Sequence, residues 1–415
     1  MPWRHRWPII STFPRRPPPA ELQWEEVAVA VTESGSKTLL ALTSAAVALP
    51  GMAPVARADS PPEVTTLGYR YSLYREDDIE PGKLAAGVGE RYEIDVHQLR
   101  LTTGLGDTWG LTVDYQHESL SGASPFGTSR GVDGNPQVVM TGASIEELRR
   151  DLNIGLRRYY DYSNAGISLG YSAEDDYTAY NLGADYQFST EDRLNTFGLG
   201  VSISDDTLEP TQQSGFNRIK KDDKQSLTAV VNYTRVLSTV AQVQTALSLS
   251  RHSGFLSDPY KAVDVRPDER IAWAWTTQYR RYLKDWDAAL HVDYRLYTDD
   301  WGIVSNTFDL AWYQNVDAGL RVAPSLRYYT QSQADFYFPT DNTTRQGYQS
   351  SDHRLSPFGA LTTGIRVEAH AVNWKVVIAA ERYIADGDLA LGSVEVEHPA
   401  LLGFSLVTLG MDYSF

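Results

Sequence analysis

The sequence predicts an all-β protein, a transmembrane antiparallel β-barrel of about 16 strands preceded by a cleavable signal peptide. Three observations carry this. Segments of roughly ten residues alternate apolar and polar side chains with period two, which is how a barrel strand shows one face to lipid and the other to its lumen. The connections between segments alternate between short and long, as periplasmic turns and outer loops do. The chain closes on an aromatic strand, with Val407, Leu409, Met411, Tyr413 and Phe415 on one face.

Composition agrees. Mean hydropathy is −0.35, and the longest apolar run, Thr38 to Leu49, is shorter than the roughly 20 residues of a spanning helix. Barrels escape such measures because every second residue is polar. The 25 Tyr and 10 Trp suit membrane–water interfaces, where amphipathic rings collect. There is no cysteine, so nothing depends on thiol oxidation. A net charge of −16 argues against nucleic acid as a partner, since phosphate binding needs clustered Lys and Arg.

Lys37, the apolar Thr38–Leu49, the breaker Pro50-Gly51 and Ala56-Arg57-Ala58 read as a signal peptide over 37–58, cut after Ala58 to leave Asp59 as the mature N-terminus. Residues 1–36, with Arg15-Arg16-Pro17-Pro18-Pro19, read as a mis-called or disordered extension, and the start codon is expected at Val27, Val29 or Val31. The barrel occupies 59–415.

Within it, strands are expected near 64–76, 90–103, 107–120, 147–162, 165–174, 177–189, 194–205, 225–237, 239–252, 269–283, 286–298, 302–315, 319–333, 355–369, 371–384 and 400–415. Tyr180, Leu182, Ala184, Tyr186 and Phe188 against Asn181, Gly183, Asp185 and Gln187 show the alternation plainly. Short turns such as 104–107, 163–165, 190–193 and 316–318 alternate with long connections at 77–89, 121–146, 206–224, 253–268, 334–354 and 385–399, with brief exceptions near Asp175 and Asp299. A soluble sandwich has no reason to sort its loops by parity. The termini are therefore placed in the periplasm. Phe415 resembles the signal that barrels present to their assembly machinery, and its strand is expected to close against the first.

Asp-Asp doublets at 77–78, 175–176, 205–206, 222–223 and 299–300 fall on outer connections. Carboxylates are hard oxygen ligands, so such loops could bridge to lipopolysaccharide phosphates through divalent cations, but solvation of the loop tips is the plainer reading, since charge runs are usually solvated. Outer-membrane lipid and lipopolysaccharide are the expected surroundings. A homo-oligomer is compatible with this size, but no interface signature stands out.

Several phrases resemble a family of uncharacterised outer-membrane proteins, the domain-of-unknown-function 3570 family. They are Ser121-Gly-Ala-Ser-Pro125-Phe126 with its echo Thr141-Gly-Ala-Ser-Ile145, Gly254-Phe-Leu-Ser-Asp258-Pro259-Tyr260-Lys261, Arg266-Pro-Asp268-Glu-Arg270, Asp300-Trp-Gly-Ile303 and Leu67-Gly-Tyr-Arg-Tyr-Ser72. The resemblance spans nearly all of the mature chain. It implies a barrel and supplies no activity, and it points to an envelope redox system as one setting.

No Gly-x-Ser-x-Gly elbow and no His-Glu-x-x-His zinc motif is present, and no cofactor is expected. Two Asp–His pairs, Asp95/His97 and His291/Asp293, lie two residues apart, about 7 Å along a strand, which is too far to act together unaided. No enzyme is expected. Charge in the lumen is the more informative pattern. Early strands are read as pointing acids inward, Glu93, Asp95, Asp114, Glu118 and Asp185. Late strands point mostly bases inward, Arg280, Arg295, Arg321, Arg327, Arg366 and Lys375, with Asp293 and Glu368 among them. Facing rows would set a transverse field across a water-filled pore, favouring dipolar solutes; alternatively, the charges pair with one another in a partly plugged lumen. The first expectation is a porin-like, passive or weakly selective channel for small polar solutes. The second is a binding or scaffold barrel with an occluded lumen, its 121–146 loop the expected plug.

Overall fold

The computed structural model describes residues 60–141, 145–212 and 218–415. The signal peptide, its cleavage site and the 1–36 extension lie outside the described residues.

In chain order the strands are β1 (Thr66–Glu76), β2 (Leu84–Ala86), β3 (Glu93–Leu105), β4 (Trp109–Gly122), β5 (Pro125–Arg130), β6 (Pro136–Met140) and β7 (Ile145–Tyr159). Then come β8 (Ser163–Ala173), β9 (Tyr177–Ser189), β10 (Asn195–Leu208), β11 (Asp222–Ser238), β12 (Ala241–Gly254), β13 (Asp264–Val265) and β14 (Glu269–Leu283). The last are β15 (Ala288–Asp299), β16 (Val304–Asn315), β17 (Leu320–Gln331), β18 (Gln349–Ser350), β19 (Phe358–His370), β20 (Trp374–Asp386) and β21 (Gly403–Ser414). All except β2, β5, β6, β13 and β18 form one closed antiparallel barrel. These barrel strands follow the order of the segments read from the sequence. Closure comes from β1 on β21, with Thr66 opposite Ser414 and Glu76 opposite Phe404. Phe415 and Thr65 exchange backbone hydrogen bonds of 2.9 and 3.1 Å beyond that ladder.

The alternation works as expected through the middle of the wall. Leu99, Tyr115, Leu152, Leu182, Leu199, Leu247, Trp273, Leu310, Ile365 and Leu409 are all exposed on the outside. A closed ladder leaves no unpaired backbone edge to face lipid, which is why a barrel can cross a bilayer. Pro324 marks one gap: the β16–β17 ladder pairs Ala311 with Ser325 and resumes at Gln314 with Val322, since proline donates no hydrogen bond. At the inner rim, Trp374 packs tilted on Tyr413 at 4.7 Å, Tyr413 stacks on Phe415 at 5.7 Å, and Trp286 meets Trp312 edge-on at 5.3 Å. These rings make an interfacial aromatic girdle.

Several strands run longer at the outer end than their hydrophobic pattern suggests. β10 reaches Leu208 and β11 starts at Asp222, so the Asp205-Asp206 and Asp222-Asp223 doublets sit on paired strand rather than on loop tips. The pattern also inverts there. Inward-facing Tyr74, Ile94, Val96, Leu120, Phe358, Tyr383 and Phe404 form a buried apolar cluster inside the outer mouth. A second cluster joins Ala272, Ala274 and Tyr297 to Leu256, Trp301, Ile303, Phe336, Tyr337 and Leu355 of the outer loops. The physical reason is simple. Above the bilayer the outside of the wall meets water, while the inside meets packed loops.

Candidate functional site

The lumen is lined by local ion pairs, most of them between neighbouring strands. Arg100 meets Asp114, Arg280 meets Asp293 and Arg327 meets Asp309. Arg157 meets Asp185 at 2.6 Å, Arg366 meets Glu368 at 2.7 Å and Arg70 meets Asp412 at 2.7 Å. Looser contacts join Arg321 to Glu368 at 3.8 Å, Lys375 to Asp412 at 3.7 Å and Arg149 to Glu118 at 3.7 Å. The register causes most of this, because Arg100/Asp114, Arg327/Asp309, Arg321/Glu368, Lys375/Asp412 and Arg149/Glu118 sit opposite and Arg280/Asp293 and Arg70/Asp412 diagonally across a ladder, where side chains are neighbours. Arg157 reaches Asp185 across Gly166 of β8, and Arg366 meets Glu368 along β19 itself. Arg295 points inward without a carboxylate partner among the described residues and lies 5.4 Å from the Tyr297 ring.

The arrangement of most of these charges follows from the register between strands. Asp114, Glu118, Asp185, Arg280, Asp293, Arg295, Arg321, Arg327 and Arg366 all lie on the inward face. Local pairing replaces fully opposed rows. Some asymmetry survives, since bases outnumber acids among the inward charges of β14–β20. Glu93 and Asp95 lie on the other face. They share the outward parity of exposed Leu99, Glu93 sits 3.6 Å from Arg75, and Asp95 accepts from the Tyr71 hydroxyl. Their strand has already left the bilayer, so an outward carboxylate meets water, and Ile94 and Val96 take the inward positions. The inversion within β3, from outward Leu99 to inward Val96, was the readable signal.

Water access divides the lumen in two. Arg327 and Asp309, at 16% and 28% exposure, are reachable from inside, whereas Glu76 and Arg91 at the outer mouth, at 0% and 2%, are not. What seals the mouth is a lid of outer loops. Ala262 N–H donates to Phe126 O at 2.8 Å and Lys261 Nζ to Pro125 O at 3.2 Å, linking loops from opposite sides of the barrel. Asp341 joins Thr128 through two hydrogen bonds of 3.0 and 3.1 Å. β13 pairs with β18, and β5 and β6 form a small sheet with β2. The segment after Ser121 contributes to this lid. The expected plug is thus one part of a shared cover in which loops 255–268 and 332–357 hold the centre.

Here the loop phrases find their place. Pro259 occupies the turn closed by Lys261 N–H on Asp258 O at 3.3 Å, a position its fixed φ suits. The Tyr260 hydroxyl donates to Asp176. Asp268 O accepts from Gly254 N–H at 2.9 Å, closing the loop's base, and Gly254 takes a φ of +108° there. Arg266 binds Asp264 and Asp352, each at 2.8 Å. Arg354 binds Asp352 and reaches Asp258 at 3.1 Å. Ser121, on the outward face of β4, is exposed and takes no part.

Asp352 is fully buried, which raises its carboxyl pKa, yet Arg354, Lys261 and Arg266 outweigh burial and hold it well below the usual carboxylate range. Burial opposes charge on Arg354 as well, and its carboxylate partners Asp352, Asp258 and Asp264 more than restore it. Asp352, His353 and His398 were not singled out from the sequence. Nothing in their local spacing announces that loops 47 residues apart meet.

A closed antiparallel barrel with an apolar outer belt and a charged lumen defines an outer-membrane protein. The chain belongs to the family described as "Protein of unknown function (DUF3570)", whose model matches residues 39–395. No curated protein is significantly similar to it. Among solved structures it is similar to Pseudomonas aeruginosa OprD, with 10% identity, 85% of this chain and 94% of that one covered, and a TM-score of 0.39. It is similar to a bacterial polysaccharide outer membrane secretin at 7% identity, with 85% and 98% covered and a TM-score of 0.48. It is also similar to the siderophore receptor PirA from Pseudomonas aeruginosa at 10% identity, with a TM-score of 0.41; 77% of this chain is covered, but only 56% of PirA. Such likeness concerns barrel architecture alone.

Proposed function

We propose that this protein is a loop-gated channel, passive or weakly selective, for small polar solutes crossing the outer membrane. The carrying observation is the division of its interior, a water-reachable lumen of charged pairs beneath a sealed outer mouth. A barrel of this strand number encloses a bore wide enough for water. Paired charges keep such a bore wet without binding one ion too tightly to release. Gly166, Ser168, Gly183, Gly198 and Ser202 face inward from β8, β9 and β10. Gly166 and Gly198 make room for the Arg157–Asp185 pair and the Asn232 side chain that lie over them, so this wall too turns polar groups toward the bore. The asymmetry of the remaining charge favours dipolar solutes over simple anions or cations.

The packed lid favours one other reading, a barrel permanently closed at its outer end that serves as a binding or scaffold surface. Single-channel recording separates the two. The refolded protein in a planar bilayer is expected to show discrete, infrequent openings, and Asp352→Asn, which weakens the lid, to lengthen them. A barrel silent in both forms sinks the channel and leaves the scaffold.

A further inference from the structure

We propose that the lid is an acid-sensitive latch, in which protonation of His353 and His398 releases loop 387–402 from loop 332–357 and opens the outer mouth. The inference rests on the gated-channel reading only for its effect on conductance; the latch is a property of the loops.

The geometry is specific. Both imidazoles lie at the junction of these loops, 6% and 1% exposed, with ring centres 5.9 Å apart. His398 holds the junction directly. Its Nε2 donates to Ser351 O at 2.8 Å, which leaves Nδ1 to accept from Ala400 N–H at 3.0 Å. That pattern requires a neutral ring, because a protonated imidazole has no acceptor nitrogen. Neither ring nitrogen of His353 has a hydrogen-bond partner among the described residues, and Nδ1 lies 3.5 Å from Asp352. The Tyr337 ring stands 6.3 Å from that of His398.

The surroundings decide the sign. Loop 255–268 presents Lys261, Arg266, Asp258 and Asp264. Loop 332–357 presents Asp352 and Arg354, and the first outer loop presents Arg91, whose guanidinium is held by Glu76 at 2.7 Å and donates to Ala400 O at 3.0 Å. Glu397, next to His398, is occupied by Lys83 at 3.0 Å. The carboxylates near the rings are therefore already committed to cations. A new positive charge would meet Arg91, Lys261 and Arg354 in a dry site. Burial, reinforced by Arg91 and Arg354 against the pull of Asp352, pushes His353 well below its ordinary value, and burial pushes His398 down to about 3.

Both rings are thus neutral in the closed lid and titrate near 6.5 once it opens to water. The closed form is disfavoured as pH falls below 6.5, whereas Asp352 keeps its charge throughout that window. Between pH 7.5 and 5.5 the open-to-closed ratio should rise about 10-fold for each imidazole, or about 100-fold for the pair.

The chain has no native cysteine, so spin labels can be placed at Tyr348→Cys and Leu391→Cys, exposed sites on the two loops. Pulsed dipolar spectroscopy should give a narrow distance distribution at pH 7.5 that broadens and lengthens at pH 5.5. In a His353→Gln, His398→Gln background the acid response should disappear. A distribution unchanged by pH in the native-histidine background overturns the latch, and so does an undiminished response in the double variant. Should that variant not fold, the native-histidine comparison and His398→Gln alone, with about a 10-fold smaller ratio change, still decide it. Bilayer recordings at the same pH values keep the two ideas apart. Loops that open without conductance refute the channel, and conductance with loops fixed at both pH values refutes the latch.

Discussion

Asp352 is the residue on which the lid turns. It has no exposed surface, and Arg266, Arg354 and Lys261 converge on it from two loops. Removing one member of a buried charge network leaves the others unpaired in a dry site, at a cost of about 3–5 kcal/mol. Asp352→Asn should therefore loosen loops 255–268 and 332–357 while the barrel stays intact. Limited proteolysis at neutral pH should cut both loops faster in the variant, with the heat-resistant barrel fragment unchanged. Lids of equal resistance would show that the network contributes little. Because its carboxyl lies below the usual range, Asp352 stabilises the lid at neutral pH and loses that effect only in strong acid, below the window in which the two imidazoles act.

Along a single strand, the two faces answer to different solvents. Leu199 on β10 is exposed on the outer wall, and Ser202, three residues on, faces the lumen. An arginine at mid-membrane on the lipid side of a barrel costs about 2–4 kcal/mol, while the same change in a wet lumen costs far less. Leu199→Arg should accordingly lower the denaturant midpoint for unfolding from lipid vesicles, and Ser202→Arg should leave it nearly unchanged. Equal effects would contradict the assigned faces. The alternation that assigns them was legible in the sequence through the bilayer-spanning part of every barrel strand. At the outer end, where apolar side chains turn inward on several strands, it misplaced Glu93 and Asp95 of β3, which face away from the lumen. Periodicity reports which face is polar. It does not report whether the apolar face meets lipid or a lid.

At the scale of the whole molecule, the lumen charges act through their sum. Arg295, Arg327 and Arg366 stand on one side of the bore, two of them paired with Asp309 and Glu368. Neutralising all three to Gln would leave those carboxylates exposed to the permeation path. The reversal potential in a salt gradient should then shift toward cation selectivity, by an amount that shrinks as ionic strength rises. An unchanged potential would mean that ions, if they pass, do not pass along this wall.

The sequence by itself determined the barrel, its strand order and which loops are long. Those features follow from local rules: alternation with period two, turn length, and the need to satisfy every backbone group in lipid. Only the tertiary structure decided that the charges pair locally rather than face one another across the bore, because most of that pairing depends on register between strands. It alone brought Asp258, Arg266, Asp352, His353 and His398 into one sealed cluster. Residues from separate loops meet there because an open barrel mouth lets distant connections converge, and no periodicity within a single segment records that meeting.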